Sequence, residues 1–266
     1  GFKYQYMMIM GAVFVLFYTF LGGFLAESAS DTMQAIVMII ALVTVLFVGT
    51  AAAGGPTQVI ENAKAIPGFF EFFGIASPAV TNGVQEVVNG VPQYNEAGKY
   101  GMYTILSTLA WGLGYFGMPQ VLLRFMAIRD PNELKISRRI ATVWVIISLG
   151  AAVAIGIIGK AVFPTAHLTY SDSENIFIVL STSLLPTFFA GFVLAGILAA
   201  TISSSDSYLL IAASAFSKNI YQRLIKKGAS DKEVMNVSRI ILITICILGI
   251  FIALDEDSVI FTIVSF

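Results

Sequence analysis

The residues from which proteins most often build disulfides, metal centres and nucleophilic sites are almost missing from this chain, which has one cysteine, Cys246, and one histidine, His167. A lone cysteine excludes a disulfide framework or a multi-cysteine metal site within the chain. Cys246 sits in an apolar helical run and reads as a small buried hydrophobe; His167 follows Pro164 in a loop and is given no role. With no His or Cys constellation, the chain is not expected to be an enzyme. Charge is scarce as well. Only 12% of residues are charged and the formal net charge is -1, so there is no basic surface for nucleic acid. An initiating methionine and a signal-peptide pattern are also lacking, and the last residues stop inside an apolar run, so both ends are expected to be cut.

What fills the chain instead is apolar: 57% of residues are hydrophobic, which points to an integral, multi-pass membrane protein embedded in a lipid bilayer. Runs that span, or nearly span, about 30 Å of hydrocarbon cover residues 4–26, 32–54, 100–123, 140–159 and 184–217. A shorter sixth run starts near Met235, with Arg239 at the interface, and a seventh begins near Val259. Eleven of the fifteen basic residues lie in two places, after the third run and after the fifth. By the positive-inside rule both are cytoplasmic, which puts the acidic loop Asp255, Glu256, Asp257 outside. The long segment 55–99 is then external, and the tight connection holding Glu27 and Asp31 cytoplasmic. Phe69, Phe70, Phe72 and Phe73 suit the headgroup level, so the external segment is expected to form short helices over the mouth.

Two stretches do not suit a plain membrane helix. The fifth run is uncharged from 175 to 205, and its polar stretch holds Thr201, Ser203, Ser204, Ser205, Asp206 and Ser207. Ala200, Ser203, Ser204 and Ser207 recur at i, i+3, i+4 and i+7 on one helical face, with Asp206 three residues from Ser203. Oxygen donors hold hard cations, and an intramembrane carboxylate marks a functional site by default. The alternative is close packing, with the serines bonded back to their own helix. In the third run, Gly112, Gly114, Gly117 and Pro119 make a helix that breaks easily, and a broken helix is a binding device where it lines a cavity. Trp111, Tyr115 and Pro119 fall at i, i+4 and i+8, one wall for a small organic solute while helical geometry persists. Asp31, at the start of the second run, reads either as a site residue or as an acid favoured by the helix dipole. Glu27 reads as a solvated loop residue.

At these residues the chain resembles the sodium/solute symporter family, and within it the sodium/proline symporters. The likeness runs through Gly22-Gly-Phe-Leu-Ala with Asp31-Thr-Met-Gln-Ala, Leu109-Ala-Trp-Gly-Leu-Gly-Tyr-Phe-Gly with Pro119, Ala195-Gly-Ile-Leu-Ala-Ala to Ser203 and Ser204, and Lys218-Asn-Ile-Tyr221. The resemblance implies an all-α polytopic membrane protein with an inverted-repeat, LeuT-like transporter fold, about half of it present. Residues 1–54 would be the last two helices of the first repeat, 55–99 an external loop, and 100–266 most of the second repeat. It implies a sodium ion held by the Ala200 carbonyl, Ser203 and Ser204, and a second possible sodium at Asp31, Ser203, Asp206 and Ser207. A proline-like solute would meet Trp111, Tyr115 and Pro119. The implied activity is sodium-coupled import by alternating access, in the cell (inner) membrane. Met118 and Gln120 flank Pro119 where close proline symporters carry Gln and His, so another amino acid, a sugar acid or a vitamin stays open as solute. A passive channel is the remaining alternative, and the oligomeric state is not legible.

Overall fold

A computed structural model describes residues 3–254. The acidic loop at 255–257 and the seventh run from Val259 lie outside the described residues. Helix α1 covers Tyr4–Ala52 and takes in both of the first two apolar runs. Uninterrupted, its 49 residues would measure about 74 Å, more than twice the hydrocarbon thickness. The interruption is Gly23, with φ 58 and ψ -160, a conformation open to glycine because it has no Cβ. The break therefore falls four residues before the connection expected at Glu27. Gly22 and Gly23 are poor helix formers, whereas nothing from Phe24 to Asp31 is a strong breaker.

After α2 (Pro56–Lys64), the connecting segment forms six two-residue strands. β1 (Gly74–Ile75) pairs antiparallel with β6 (Gly98–Lys99), β2 (Val80–Thr81) with β3 (Val84–Gln85), and β4 (Val87–Val88) with β5 (Val91–Pro92). Only α2 matches the short helices expected here. The two-residue turns of the β2–β3 and β4–β5 hairpins are Asn82-Gly83 and Asn89-Gly90, with φ of 54, 79, 52 and 79, the chemistry of type I′ hairpins. The third apolar run is broken as its composition implies: α3 (Met102–Gly114), a 3-10 turn (Tyr115–Gly117), then α4 (Pro119–Met126) with proline in the first turn. There follow α5 (Glu133–Val162), α6 (Tyr170–Glu174), α7 (Ile176–Leu184), α8 (Thr187–Ala215), a π-helical continuation (Phe216–Ile225) and α9 (Asp231–Ile252).

Among the described residues four helices are long and apolar enough to cross a membrane: Tyr4–Ala52, Glu133–Val162, Thr187–Ile225 and Asp231–Ile252. Six were expected. The difference arises because α1 absorbs two runs and the third is cut into pieces too short to span alone. Four such helices in one chain are the pattern of a multi-pass membrane protein.

The chain divides into two compact units. In the unit Met38–Gly196, buried Ala41, Val45, Ile155, Leu180 and Val193 form the core. Helices close in on small residues: a Cβ at Gly49 would stand 2.8 Å from Ile158 Cγ2, and one at Gly159 would collide with Ile176. The hairpins are tied to α5 by Gln85, which is buried. Its Nε2 donates to the Gln93 carbonyl at 2.9 Å and its Oε1 accepts from Lys160 Nζ at 3.3 Å.

In the unit Gly1–Val37 with Ile197–Phe266, α9 packs on the first half of α1. The Cys246 thiol, buried as expected, points at the Ala12 carbonyl at 3.9 Å, and the Arg239 guanidinium lies 4.8 Å from the Phe20 ring. Ser230 caps α9 by accepting from the Glu233 amide at 3.3 Å, and Glu233 in turn receives Tyr221 and Lys226, each at 2.6 Å.

Candidate functional site

Helix α8 runs straight through the polar stretch, so Ala200, Ser203, Ser204, Asp206 and Ser207 stand on one helix at the spacings read from sequence. Several hydroxyls bond back along it. Ser204 Oγ donates to the Ala200 carbonyl at 3.1 Å, Thr201 to Ile197 at 3.0 Å, and Ser205 to Thr201 at 2.8 Å. The Ala200 carbonyl, inside continuous α8, already accepts the Ser204 amide in the helix ladder, so the Ser204 hydroxyl takes its second lone pair and a cation there would displace that hydroxyl bond.

Immediately after Ser205 the helix carries a fully buried acid. Asp206 is 0% exposed; its Oδ1 accepts from the Ser207 amide at 2.7 Å, and its Oδ2 accepts from the Tyr18 hydroxyl. Ser207 is also buried. Its hydroxyl lies 2.5 Å from Glu27 Oε1 and 3.1 Å from the Ser203 carbonyl; with one proton to give, it serves the nearer carboxylate.

Glu27 is therefore no solvated loop residue. It is 3% exposed, inside α1, one helical turn before Asp31, which is also buried. The sequence held a signal for this: Glu27 and Asp31 are at i and i+4 with no breaker between them, while the glycine pair lies earlier. Tyr18 carried no comparable signal, since its partner is 188 residues away.

Within the same unit, Asp31, Glu27 and Tyr18 of α1 and the polar face of α8 bring hydroxyl, carbonyl and carboxylate oxygens to one pair of helices. Among the described residues no three His, Cys, Asp or Glu side chains gather as a transition-metal centre would require. The donor set is instead that of a hard cation.

Trp111, Tyr115 and Pro119 belong to the other unit. Trp111 lies in the last turn of α3 and Tyr115 opens the 3-10 turn, so these two keep their shared face. Met118 is extended, with φ -68 and ψ 122, and turns the chain before Pro119 starts α4. The expected three-residue wall is thus interrupted at its third member. All three side chains are exposed, and neither α3 nor α4 buries a residue within its unit.

Comparison with known proteins extends the resemblance. The chain is 34% identical over 267 residues to the osmoregulated proline transporter OpuE of Bacillus subtilis, a match that takes in 100% of this chain and 49% of that protein. It is 32% identical over 270 residues to the sodium/proline symporter of Salmonella typhimurium, again 100% of this chain and 49% of the relative. With the high-affinity proline transporter PutP of Bacillus subtilis it shares 33% over 253 residues, 95% of this chain and 48% of that one. The chain spans about half the length of the curated relatives it matches. The model of the Sodium:solute symporter family matches residues 1–266. A broken helix, an oxygen-rich helix and a match over every residue lead to one conclusion: this chain belongs to the sodium:solute symporter family.

Proposed function

We propose that this chain is part of a sodium-coupled secondary transporter that imports proline or a similar small solute by alternating access. One observation carries the reading: α8 sets Asp206 and Ser207, both buried, directly after Ala200, Ser203 and Ser204 in a helix of the length that crosses a membrane. Ions are the chemistry such a face serves, because an ionised carboxylate is expensive at bilayer depth unless a cation or strong donors meet it. The curated relatives bear the names of proline transporters and sodium/proline symporters, which supports proline and sodium as cargo.

In this reading the first sodium is held by the Ala200 carbonyl with Ser203 and Ser204, and a second by Asp31, Ser203, Asp206 and Ser207. The broken third run supplies Trp111, Tyr115 and Pro119 to the solute, the two aromatic rings offering apolar faces to a pyrrolidine-sized body. Residues 1–54 and 100–266 belong to the two inverted repeats and 55–99 to the outer connection, in the cell membrane. Sodium binding stabilises the solute-ready arrangement through its higher affinity for that state. The membrane potential adds about 2.3 kcal/mol per charge per 100 mV. The test is uptake of labelled proline by the full-length protein in proteoliposomes under an imposed sodium gradient. Accumulation that needs sodium, and drops with Ser204→Ala, supports the proposal; equilibration without accumulation would indicate a channel instead.

A further inference from the structure

We propose that Glu27 and Thr19 join Asp206 and Ser207 as ligands of the second sodium ion, adding a carboxylate and a hydroxyl to that site. The inference rests on the two-site reading above and adds residues that neither the α8 motif nor the Asp31 motif contains.

The buried stripe of α1 in its unit is Val15, Thr19, Glu27 and Asp31, stepping by four with Gly23 in the gap, and three of these four side chains carry oxygen. Tyr18, beside Thr19, donates to Asp206, and Glu27 accepts from Ser207. Two neighbouring residues of α8 therefore hold the two ends of the α1 segment 18–27, and Thr19 lies inside that bracket. Its hydroxyl is 2% exposed and has no hydrogen-bond partner.

Other helical threonines show what is unusual about it. Thr32, Thr44, Thr50, Thr142, Thr201 and Thr244 each donate to the carbonyl four residues back, at 2.6 to 3.0 Å. Thr19 has Val15 in the same register and leaves it. A buried hydroxyl that forgoes this bond is costly unless another group takes it up. Gly23, midway between Thr19 and Glu27 in the sequence, adds no side chain, and a Cβ there would meet no atom within 4 Å. Buried hydroxyl and carboxylate oxygens on this pair of helices are hard donors that a sodium ion accepts, and the ion offsets the cost of burying the anions.

The experiment is equilibrium binding of radioactive sodium to the purified full-length transporter, wild type against Glu27→Gln, Glu27→Asp and Thr19→Val. The weaker component of the wild-type isotherm shifts about tenfold or vanishes in Glu27→Gln, the loss expected for a charged ligand, and returns in part with Glu27→Asp. Thr19→Val, which keeps shape and removes the hydroxyl, weakens the same component and carries the test if Glu27→Gln does not fold. Isotherms of Glu27→Gln and Thr19→Val superimposable on wild type overturn the inference while leaving sodium-coupled uptake intact. A wild-type protein that binds no sodium overturns the underlying reading instead.

Discussion

Ser207 on α8 donates its hydroxyl to Glu27 Oε1 on α1 at 2.5 Å, and its backbone amide binds Asp206 at 2.7 Å, so one serine links two buried acids. Between helices 180 positions apart in sequence, this contact fixes which faces of α1 and α8 meet.

Tyr18 is the donor that lets Asp206 stay buried. Replacing it with Phe should destabilise the full-length protein by about 1–3 kcal/mol, the penalty for stripping a buried acceptor of its partner. Thermal unfolding in detergent reads this out. In an Asp206→Asn background the same change should cost less, and equal costs in both backgrounds would contradict the coupling.

Gly49 lets α1 approach α5. An Ala there brings Cβ to 2.8 Å from Ile158 Cγ2, so Gly49→Ala should cost about 1–3 kcal/mol by overpacking. Ile158→Ala should remove most of that cost in the double mutant; strict additivity would show that the two residues do not meet.

Gly83 sits at φ 79 in a two-residue hairpin turn. Gly83→Val should cost about 1–2 kcal/mol locally, because a β-branched residue resists the left-handed region. Faster limited proteolysis between β2 and β3, with unfolding of the remainder unchanged, is the expected signature.

The Glu233 carboxylate, hydrogen-bonded to Lys226 at 2.6 Å, holds that ammonium above its ordinary range. A raised folded value means the contact contributes below the usual lysine pKa and is lost only as pH rises through the folded one. Opening of the link between the π-helical segment and α9, followed by hydrogen exchange corrected for its intrinsic pH dependence, should therefore be flat across neutral pH. Loosening between pH 6 and 8 would contradict it.

The elements that could be read early were those whose evidence is local. Gly112, Gly114, Gly117 and Pro119 announced the broken third run, and the spacing of Ala200, Ser203, Ser204 and Ser207 announced one polar face. Asn82-Gly83, between Thr81 and Val84, and Asn89-Gly90, between Val88 and Val91, also held enough to foretell the hairpins, but the aromatic cluster beside them suggested interfacial helices instead. Glu27 was misplaced because two hydrophobic runs imply a loop between them, whereas the chain breaks at the glycine pair and carries the helix through the acids. Tyr18 could not be singled out at all. Nothing local tells which residue of an apolar, aromatic stretch will meet a carboxylate on a distant helix.

The most direct measurement is proline accumulation by the full-length protein in proteoliposomes, with an inward sodium gradient against the same vesicles in which potassium replaces sodium. Accumulation above equilibrium in sodium, abolished in potassium and impaired by Ser204→Ala, is the predicted result. Equal accumulation in both cations, untouched by that substitution, would contradict a sodium site on α8.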